Sequence, residues 1–97
     1  MQDTGLKAQV IEEIRELAKK YRLEKVILFG SRARGTFQKT SDIDLAVSGG
    51  DKTMFSLDVE EETSTLLTYD VVDLDAAIQD NLRAAIEKEG ILLYEKV

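Results

Sequence analysis

The sequence contains no cysteine and no histidine. Their absence excludes disulfide bonds, thiol nucleophiles, imidazole bases and the usual zinc sites, so carboxylates and hydroxyls must carry any chemistry. There is also no proline, and the chain shows no internal repeat, low-complexity stretch or linker. We therefore expect residues 1–97 to form a single domain around one small core.

Long apolar runs are absent as well. No run approaches the roughly 20 residues that span a bilayer, and the N-terminus lacks the basic and then apolar pattern of a secretory signal. We expect a cytoplasmic location and no membrane partner.

Nineteen acidic residues against thirteen basic ones give a formal net charge of −6. Because the basic face of a nucleic-acid-binding protein is missing, direct nucleic-acid binding is not expected. A small anionic substrate stays compatible with this charge where basic residues or a divalent cation reverse the local field.

Three segments carry apolar residues at steps of three and four, the spacing of an amphipathic helix. The first is predicted over residues 6–21. The second contains Phe55, Val59, Thr63 and Leu66, and the third carries Ile78, Leu82, Ala85 and Ile86 before a stop at Gly90. The aromatic residues Tyr21 and Phe55 fall on these spacings, so we expect them to pack in the core and not on a nucleotide base.

Four short β-favouring runs alternate with these helices, at residues 26–29, 42–47, 69–74 and 91–94. The first run ends at Gly30 and leads into the segment Gly30-Ser31-Arg32-Ala33-Arg34-Gly35. Its glycines and small residues would let backbone amides approach a ligand, and Ser31 could cap a short helix there. The resulting order αβαβαβαβ indicates an α/β layer structure.

Carboxylates alternate with apolar residues in the second predicted strand. Successive side chains of a strand point to opposite faces, so Asp42 and Asp44 are expected on one face while Ile43 turns into the core. Two adjacent carboxylates repel and raise each other's pKa unless a hard cation lies between them, and magnesium suits such oxygen ligands. Asp70 in the third strand could reach the same ion if the two strands are neighbours, and Asp73 would then face away.

An Asp-x-Asp pair is a weak signal by itself. Asp73 and Asp75 form a second pair, and such pairs are more often solvated strand ends or helix caps than sites. The combination of Gly30-Ser31, a gap of ten residues and then Asp42-Ile43-Asp44, joined by two strands, is far more specific.

This combination closely resembles the DNA polymerase beta superfamily of nucleotidyltransferases and, more narrowly, its minimal nucleotidyltransferase branch. The shared motifs are a Gly-Ser-Arg-Ala-Arg-Gly loop, a Ser-Asp-Ile-Asp-Leu strand and a later Val-Asp-Val-Val-Asp-Leu-like strand, from which Tyr69 is the one departure. The resemblance runs from about Val26 to Leu74. It implies an α/β (α+β) fold of the single-domain polymerase-beta type, with a mixed sheet of about four strands flanked by helices.

The resemblance also implies roles for individual residues. Asp42 and Asp44 would bridge two magnesium ions, and Asp70 would bind the catalytic ion and help to deprotonate an acceptor hydroxyl. Asp73 competes with Asp70 for this third ligand position, and the family's third-strand pattern, with its acid after the first apolar residue, favours Asp70. Gly30 and Ser31 would hold the terminal phosphates of a nucleoside triphosphate, with ATP as the expected donor. Three basic side chains are expected to contact phosphate oxygens: Arg32, Arg34 and Lys39.

Larger members of the superfamily bind their acceptor with further domains, so a partner is expected to supply this surface here. The minimal branch is commonly paired with helical HEPN proteins, and some pairs act as toxin and antitoxin, the transferase adenylylating a tyrosine of the toxin. This is our leading hypothesis. Two alternatives stay open: a binding antitoxin that keeps the nucleotide site as a relic, and a transferase that acts on a small molecule.

Overall fold

The computed structural model describes residues 3–97. Met1 and Gln2 lie outside the described residues, so the first two positions of the expected domain are not covered. Eight elements follow one another along the chain: α1 (Ala8–Lys20), β1 (Lys25–Phe29), α2 (Gly30–Arg34), β2 (Ile43–Ser48), α3 (Lys52–Glu62), β3 (Tyr69–Asp73), α4 (Asp80–Glu89) and β4 (Ile91–Glu95). Within residues 3–97, none of the helices combines the length and the apolar character needed to cross a bilayer.

The four strands form one mixed sheet in the order β3-β2-β1-β4. Strand β1 runs antiparallel to both β2 and β4, and β2 runs parallel to β3. The parallel pair is joined through α3, because parallel neighbours need a crossover connection. The predicted mixed sheet of four strands flanked by helices is confirmed.

The two faces of the sheet are covered differently. One face packs against α1 and α3 through buried side chains of three strands: Val26, Leu28, Ile43, Leu45, Val47 and Leu93. On the other face α4 contacts β1 and α2, and Ala46 and Ile86 are buried there outside the main cluster. Asp44 precedes Ala46 by two residues and therefore shares this second face.

The predicted helices and strands are present, with boundaries that shift by a few residues. The first helix is shorter than predicted at both ends, and Phe55 is fully buried in α3 as expected. Leu66 was predicted on the second helix, but that helix ends at Glu62 and Leu66 is fully exposed. The helical spacing likewise predicts Ile78 on the last helix, but Ile78 precedes the start of that helix at Asp80. In both cases an apolar residue in a connecting segment happened to continue a helical spacing.

The short helix α2 also corrects one detail. It begins at Gly30, and the residue at its N-cap position is Phe29, whose side chain makes no capping hydrogen bond. Ser31 lies inside the helix, so its predicted role as a cap is wrong. Gly35 ends the helix in the left-handed conformation with φ of 80°, a common helix stop.

Candidate functional site

Two of the predicted acids lie side by side on neighbouring strands. In the parallel pairing of β2 with β3, Asp44 is the register partner of Asp70. Register partners project from the same face, and neighbouring strands lie about 4.8 Å apart, so the two carboxylates belong to one local site. Asp70 is exposed on the edge strand, whereas Asp44 is partly buried between β1 and β3.

The other neighbour of Asp44 is the start of α2. Asp44 pairs with Phe29 at the end of β1, and the next residue is Gly30. Gly30 has a φ of 74°, and a Cβ atom there would lie 2.2 Å from Oδ2 of Asp44. Glycine is therefore required both by the backbone conformation and by the carboxylate beside it. The backbone that opens α2 is thereby held directly against Asp44.

The electrostatics of Asp44 reflect this crowding. Burial raises the pKa of the Asp44 carboxyl above its ordinary value, and the charges of Asp70 and Asp42 raise it further. The positive charges of Arg34 and Arg32 partly offset these effects. The ionised form of Asp44 is therefore disfavoured among like charges, and a bound cation would relieve the repulsion.

Asp42 lies one residue before β2 and is exposed. Its Oδ1 accepts a hydrogen bond from the hydroxyl of Thr68, which stands two residues before Asp70. Among residues 3–97, no three acidic side chains are arranged so that they could hold a metal ion as they stand. The structure thus brings the three predicted acids to one end of the β2–β3 pair, with Asp42 engaged by Thr68. The chemistry of the three carboxylates fits magnesium, but their present arrangement is not a closed metal site.

The competing pair of acids has other partners. Asp73 is opposite Val47 in the strand register, three residues farther along β3 than Asp70. Lys52 Nζ lies 3.7 Å from Oδ1 of Asp73 and 2.7 Å from Oδ2 of Asp75. Asp75 also accepts a hydrogen bond of 2.8 Å from the backbone N–H of Gly49. Asp73 and Asp75 therefore form an ion-paired cluster that is separate from Asp44.

The basic residues of the segment that follows β1 have different surroundings. Arg34 is exposed at the end of α2, where its Nη1 lies 3.3 Å from Oε2 of Glu89 on α4. Because its charge is near enough to lower the pKa of Asp44, it lies within electrostatic range of the acids. Lys39 is exposed in the connection to β2, and Ser31 is half-buried in the first turn of α2.

Arg32 is placed quite differently from the expectation. It is only 1% exposed, and its guanidinium donates hydrogen bonds to backbone carbonyls of the surrounding segments. The sequence suggested a solvent-facing phosphate ligand, because arginine seldom lies buried without an acidic partner. The guanidinium of Arg32 therefore points into the protein, and its direction does not support the predicted contact with phosphate.

Two residues of this region make contacts that no sequence pattern predicts. Thr68 contacts Asp42 across the β2–β3 pair, and Glu89 pairs with Arg34 from a helix far along the chain. Threonines and glutamates on exposed segments carry no local signal of such contacts. Both depend on elements that are brought together only by the fold.

The family described as Polymerase beta, Nucleotidyltransferase matches residues 12–97 of the chain. Over 63 residues the chain is 41% identical to a candidate protein adenylyltransferase of Methanocaldococcus jannaschii. That alignment covers 63% of this chain and 61% of the relative, so the chain spans less than two thirds of the relative's length.

Three solved structures have a similar fold. A toxin–antitoxin structure determined with AMP-PNP is 26% identical with a TM-score of 0.73, and the match covers 89% of this chain and 73% of that one. A variant of the toxin–antitoxin pair MntA–HpeT is 26% identical with a TM-score of 0.68, covering 88% and 72%. A protein of Shewanella oneidensis, 19% identical with a TM-score of 0.64 over 93% and 74%, shows likeness of fold alone.

Proposed function

This chain belongs to the polymerase beta nucleotidyltransferase family, and on that basis we propose that it transfers AMP from ATP to a hydroxyl group of a partner protein. The observation that carries the proposal is the pairing of Asp44 with Asp70 beside the glycine that opens α2. In this arrangement carboxylates for metal binding adjoin a turn whose backbone amides can approach phosphates.

In the proposed reaction, the acceptor oxygen forms a bond to the α-phosphorus of ATP. The bond from that phosphorus to the oxygen bridging to the β-phosphate breaks, and pyrophosphate leaves with the electron pair. We assign Asp70 as the group that helps to remove the hydroxyl proton. Because Asp70 is exposed on the edge strand of the sheet, an acceptor can approach it from solvent.

We assign Asp42, Asp44 and Asp70 as the residues that would hold two magnesium ions. The support is the chemistry of the three carboxylates, together with the raised pKa of Asp44, which burial and the two neighbouring acids cause. When bound, magnesium lowers the pKa of the acceptor hydroxyl and neutralises charge on the pyrophosphate. Asp42 would exchange its hydrogen bond from Thr68 for this role.

The phosphates of ATP are assigned to the start of α2. Gly30 lies directly beside Asp44 and Ser31 follows it in the chain, so phosphates bound there would stand next to the proposed metal-binding carboxylates. Arg34 is close enough to supply charge-assisted hydrogen bonds once its side chain leaves Glu89. Lys39 is a further exposed cation on the connection to β2.

For the acceptor we propose a tyrosine of a helical HEPN-type toxin, which would make this chain the antitoxin of a cytoplasmic pair. The support comes from relatives. One is a candidate protein adenylyltransferase, and two similar structures are of toxin–antitoxin proteins, one of them determined with AMP-PNP. Residues 1–97 would form a single transferase domain, and the partner would provide the surface that presents the tyrosine.

Intact-mass spectrometry tests this assignment. The protein is incubated with ATP, magnesium and a HEPN-type helical protein, and the expected result is an added AMP on a tyrosine of the HEPN protein. The increment should disappear when EDTA replaces magnesium. If no HEPN-type partner gains AMP, the protein acceptor is wrong, and transfer to small hydroxyl compounds would then identify the small-molecule alternative.

A double variant, Asp42→Asn with Asp44→Asn, separates catalysis from simple binding. It keeps the size and hydrogen-bonding capacity of both side chains but removes the negative charges that bind a cation. Loss of both AMP transfer and toxin neutralisation is expected. Full neutralisation without transfer would instead favour a binding antitoxin.

Calorimetric titration with ATP, GTP, CTP and UTP in the presence of magnesium identifies the preferred base.

A further inference from the structure

Arg32 is a buried cation at the centre of three chain segments. Its Nη1 donates to the backbone carbonyl of Thr4 at 2.9 Å. Its Nε and Nη2 donate to the carbonyl of Ser41 at 3.1 and 2.9 Å, and Nη2 also reaches the carbonyl of Lys39 at 3.3 Å. One side chain of α2 therefore fastens the N-terminal segment and the turn that leads into Asp42.

The surroundings are shaped to hold this guanidinium in place. Its carbon lies 4.9 Å from the centre of the Phe37 ring, a cation–π distance. At Gly5, where φ is 71°, a Cβ atom would lie 2.7 Å from Nη1 of Arg32 and 2.3 Å from the Phe37 ring. The N-terminal segment therefore closes over Arg32 at a residue that has no side chain.

Among residues 3–97, Arg32 takes part in no ion pair within 4.0 Å. A buried charge is costly unless it is well hydrogen-bonded, and here carbonyl oxygens fill that role. An apolar side chain would fill the same volume without that cost. The presence of an arginine at this position is therefore explained better by the chain segments that it joins than by packing alone.

These segments carry the proposed transfer site. Ser31 precedes Arg32 on α2, and Ser41 precedes Asp42. The two hydrogen bonds from the guanidinium of Arg32 to Ser41 thus link the residue before Asp42 to α2, the helix that would bind the phosphates. A rigid spacing between these two parts matters because small misplacements of reacting groups lower rates strongly.

We propose that Arg32 is a positioning residue of the transfer site, which fixes Asp42 relative to the phosphate-binding start of α2 and does not itself bind phosphate. The proposal rests on the proposed transferase function for its kinetic consequence. The geometric part, that Arg32 holds the turn at residues 38–42, stands independently of any activity.

The test compares Arg32→Met with Arg15→Met. Arg15 is the matched control because its Nε also donates to a backbone carbonyl at 2.8 Å, that of Leu93 on β4, at the opposite edge of the sheet from β3. In amide hydrogen exchange, Arg32→Met should exchange at least fivefold faster at Ser41 and Ile43, whose N–H groups bond to Gln38 and Thr68. Arg15→Met should leave both amides unchanged.

Kinetics supply the second measurement, made well below the melting temperature of each variant. For Arg32→Met we expect kcat to fall at least tenfold and the half-saturating magnesium concentration to rise, with the KM for ATP within about threefold of wild type. A phosphate ligand would instead give a raised KM for ATP, and that result overturns the proposal. Unchanged exchange at Ser41 and Ile43 overturns it as well.

A gentler variant covers the case in which Arg32→Met does not fold. Phe37→Leu keeps an apolar side chain but removes the ring beneath the guanidinium, and it should shift exchange and kcat in the same direction by smaller factors. Should the wild-type chain transfer no AMP to any acceptor, the proposed function fails. The exchange measurement still decides whether Arg32 positions the turn.

Discussion

The Oδ2 atom of Asp44 occupies space that a Cβ atom at residue 30 would need: the two positions are 2.2 Å apart. The end of β1, the central strand β2 and the start of α2 therefore meet at this contact. Gly30 and Asp44 stand fourteen residues apart in the sequence. Only the fold brings them together, because Asp44 is the strand partner of Phe29, the residue before Gly30.

The first prediction concerns this contact. Gly30→Ala should lower AMP transfer at least about 100-fold, because the new methyl group must displace either the Asp44 carboxylate or the backbone of α2. Gly35→Ala is the matched control: its φ of 80° imposes a similar backbone strain, of about 1–2 kcal/mol, but a Cβ there meets no atom within 4 Å. It should lower the melting temperature and keep transfer. Equal activities of the two alanine variants would contradict the steric argument.

The second prediction separates the two acids of β3. Asp70→Asn should lower kcat by about 100-fold or more, because it removes a proposed metal ligand and proton acceptor beside Asp44. Asp73→Asn should change activity less than about twofold, since Asp73 contacts Lys52 at 3.7 Å and lies on another part of the strand. Its partly exposed ion pair contributes about 1 kcal/mol to stability. Steady-state kinetics of both variants check this, and a larger loss in Asp73→Asn would reverse the assignment.

The third prediction concerns pH. In the folded protein, burial and the charges of Asp70 and Asp42 raise the pKa of Asp44 above its unfolded value near 3.8. Between these two pKa values the folded state binds more protons than the unfolded state, so the free energy of unfolding falls as pH rises. Above the folded pKa the penalty is complete, and below the unfolded value it vanishes.

Asp44→Asn removes this penalty. In the absence of divalent ions, its melting temperature should therefore exceed that of wild type at about pH 7, and the difference should shrink toward about pH 4. Thermal unfolding followed by circular dichroism across this range gives the comparison, and titrating groups that do not interact with Asp44 cancel between the two proteins. Magnesium should raise the melting temperature of wild type only. A difference that does not vary with pH would show that charge is not its cause.

The fourth prediction concerns Arg34. Arg34→Gln should raise the KM for ATP roughly tenfold or more, because a hydrogen bond to a charged group contributes about 1.5–3 kcal/mol. Glu89→Gln is informative beside it: it releases Arg34 from its ion pair of 3.3 Å, so the KM should stay the same or fall. Initial rates at varied ATP concentration measure both. A raised KM in Glu89→Gln would mean that the ion pair itself orients Arg34 for phosphate binding.

Arg32 and Arg34 show how far the sequence could predict the site. Both stand in one short motif, and local pattern gives them the same expected role. In the structure one is 1% exposed and bound to backbone carbonyls, while the other is exposed and paired with a glutamate. Whether a charged side chain turns inward depends on which segments close over it, and the segment around Thr4 is distant along the chain.

The helices and strands were predictable because their signals are local. Apolar residues repeat with the period of a helix or a strand, and glycine or polar residues mark the ends. The same signals failed at Leu66, where an apolar residue continued the helical spacing beyond the true end of α3 at Glu62. Periodicity reports which residues could share a face, and packing decides how far the helix continues.

The sequence by itself determined the order of the elements, the alternation that puts Asp44 opposite Ile43 and Leu45, and the family to which its motifs point, because each of these follows from neighbouring residues. Tertiary structure alone decided the strand order, the pairing of Asp44 with Asp70, the engagement of Asp42 by Thr68 and the burial of Arg32. These features join residues from separate segments, and their distances are set by the packing of the whole sheet against its helices.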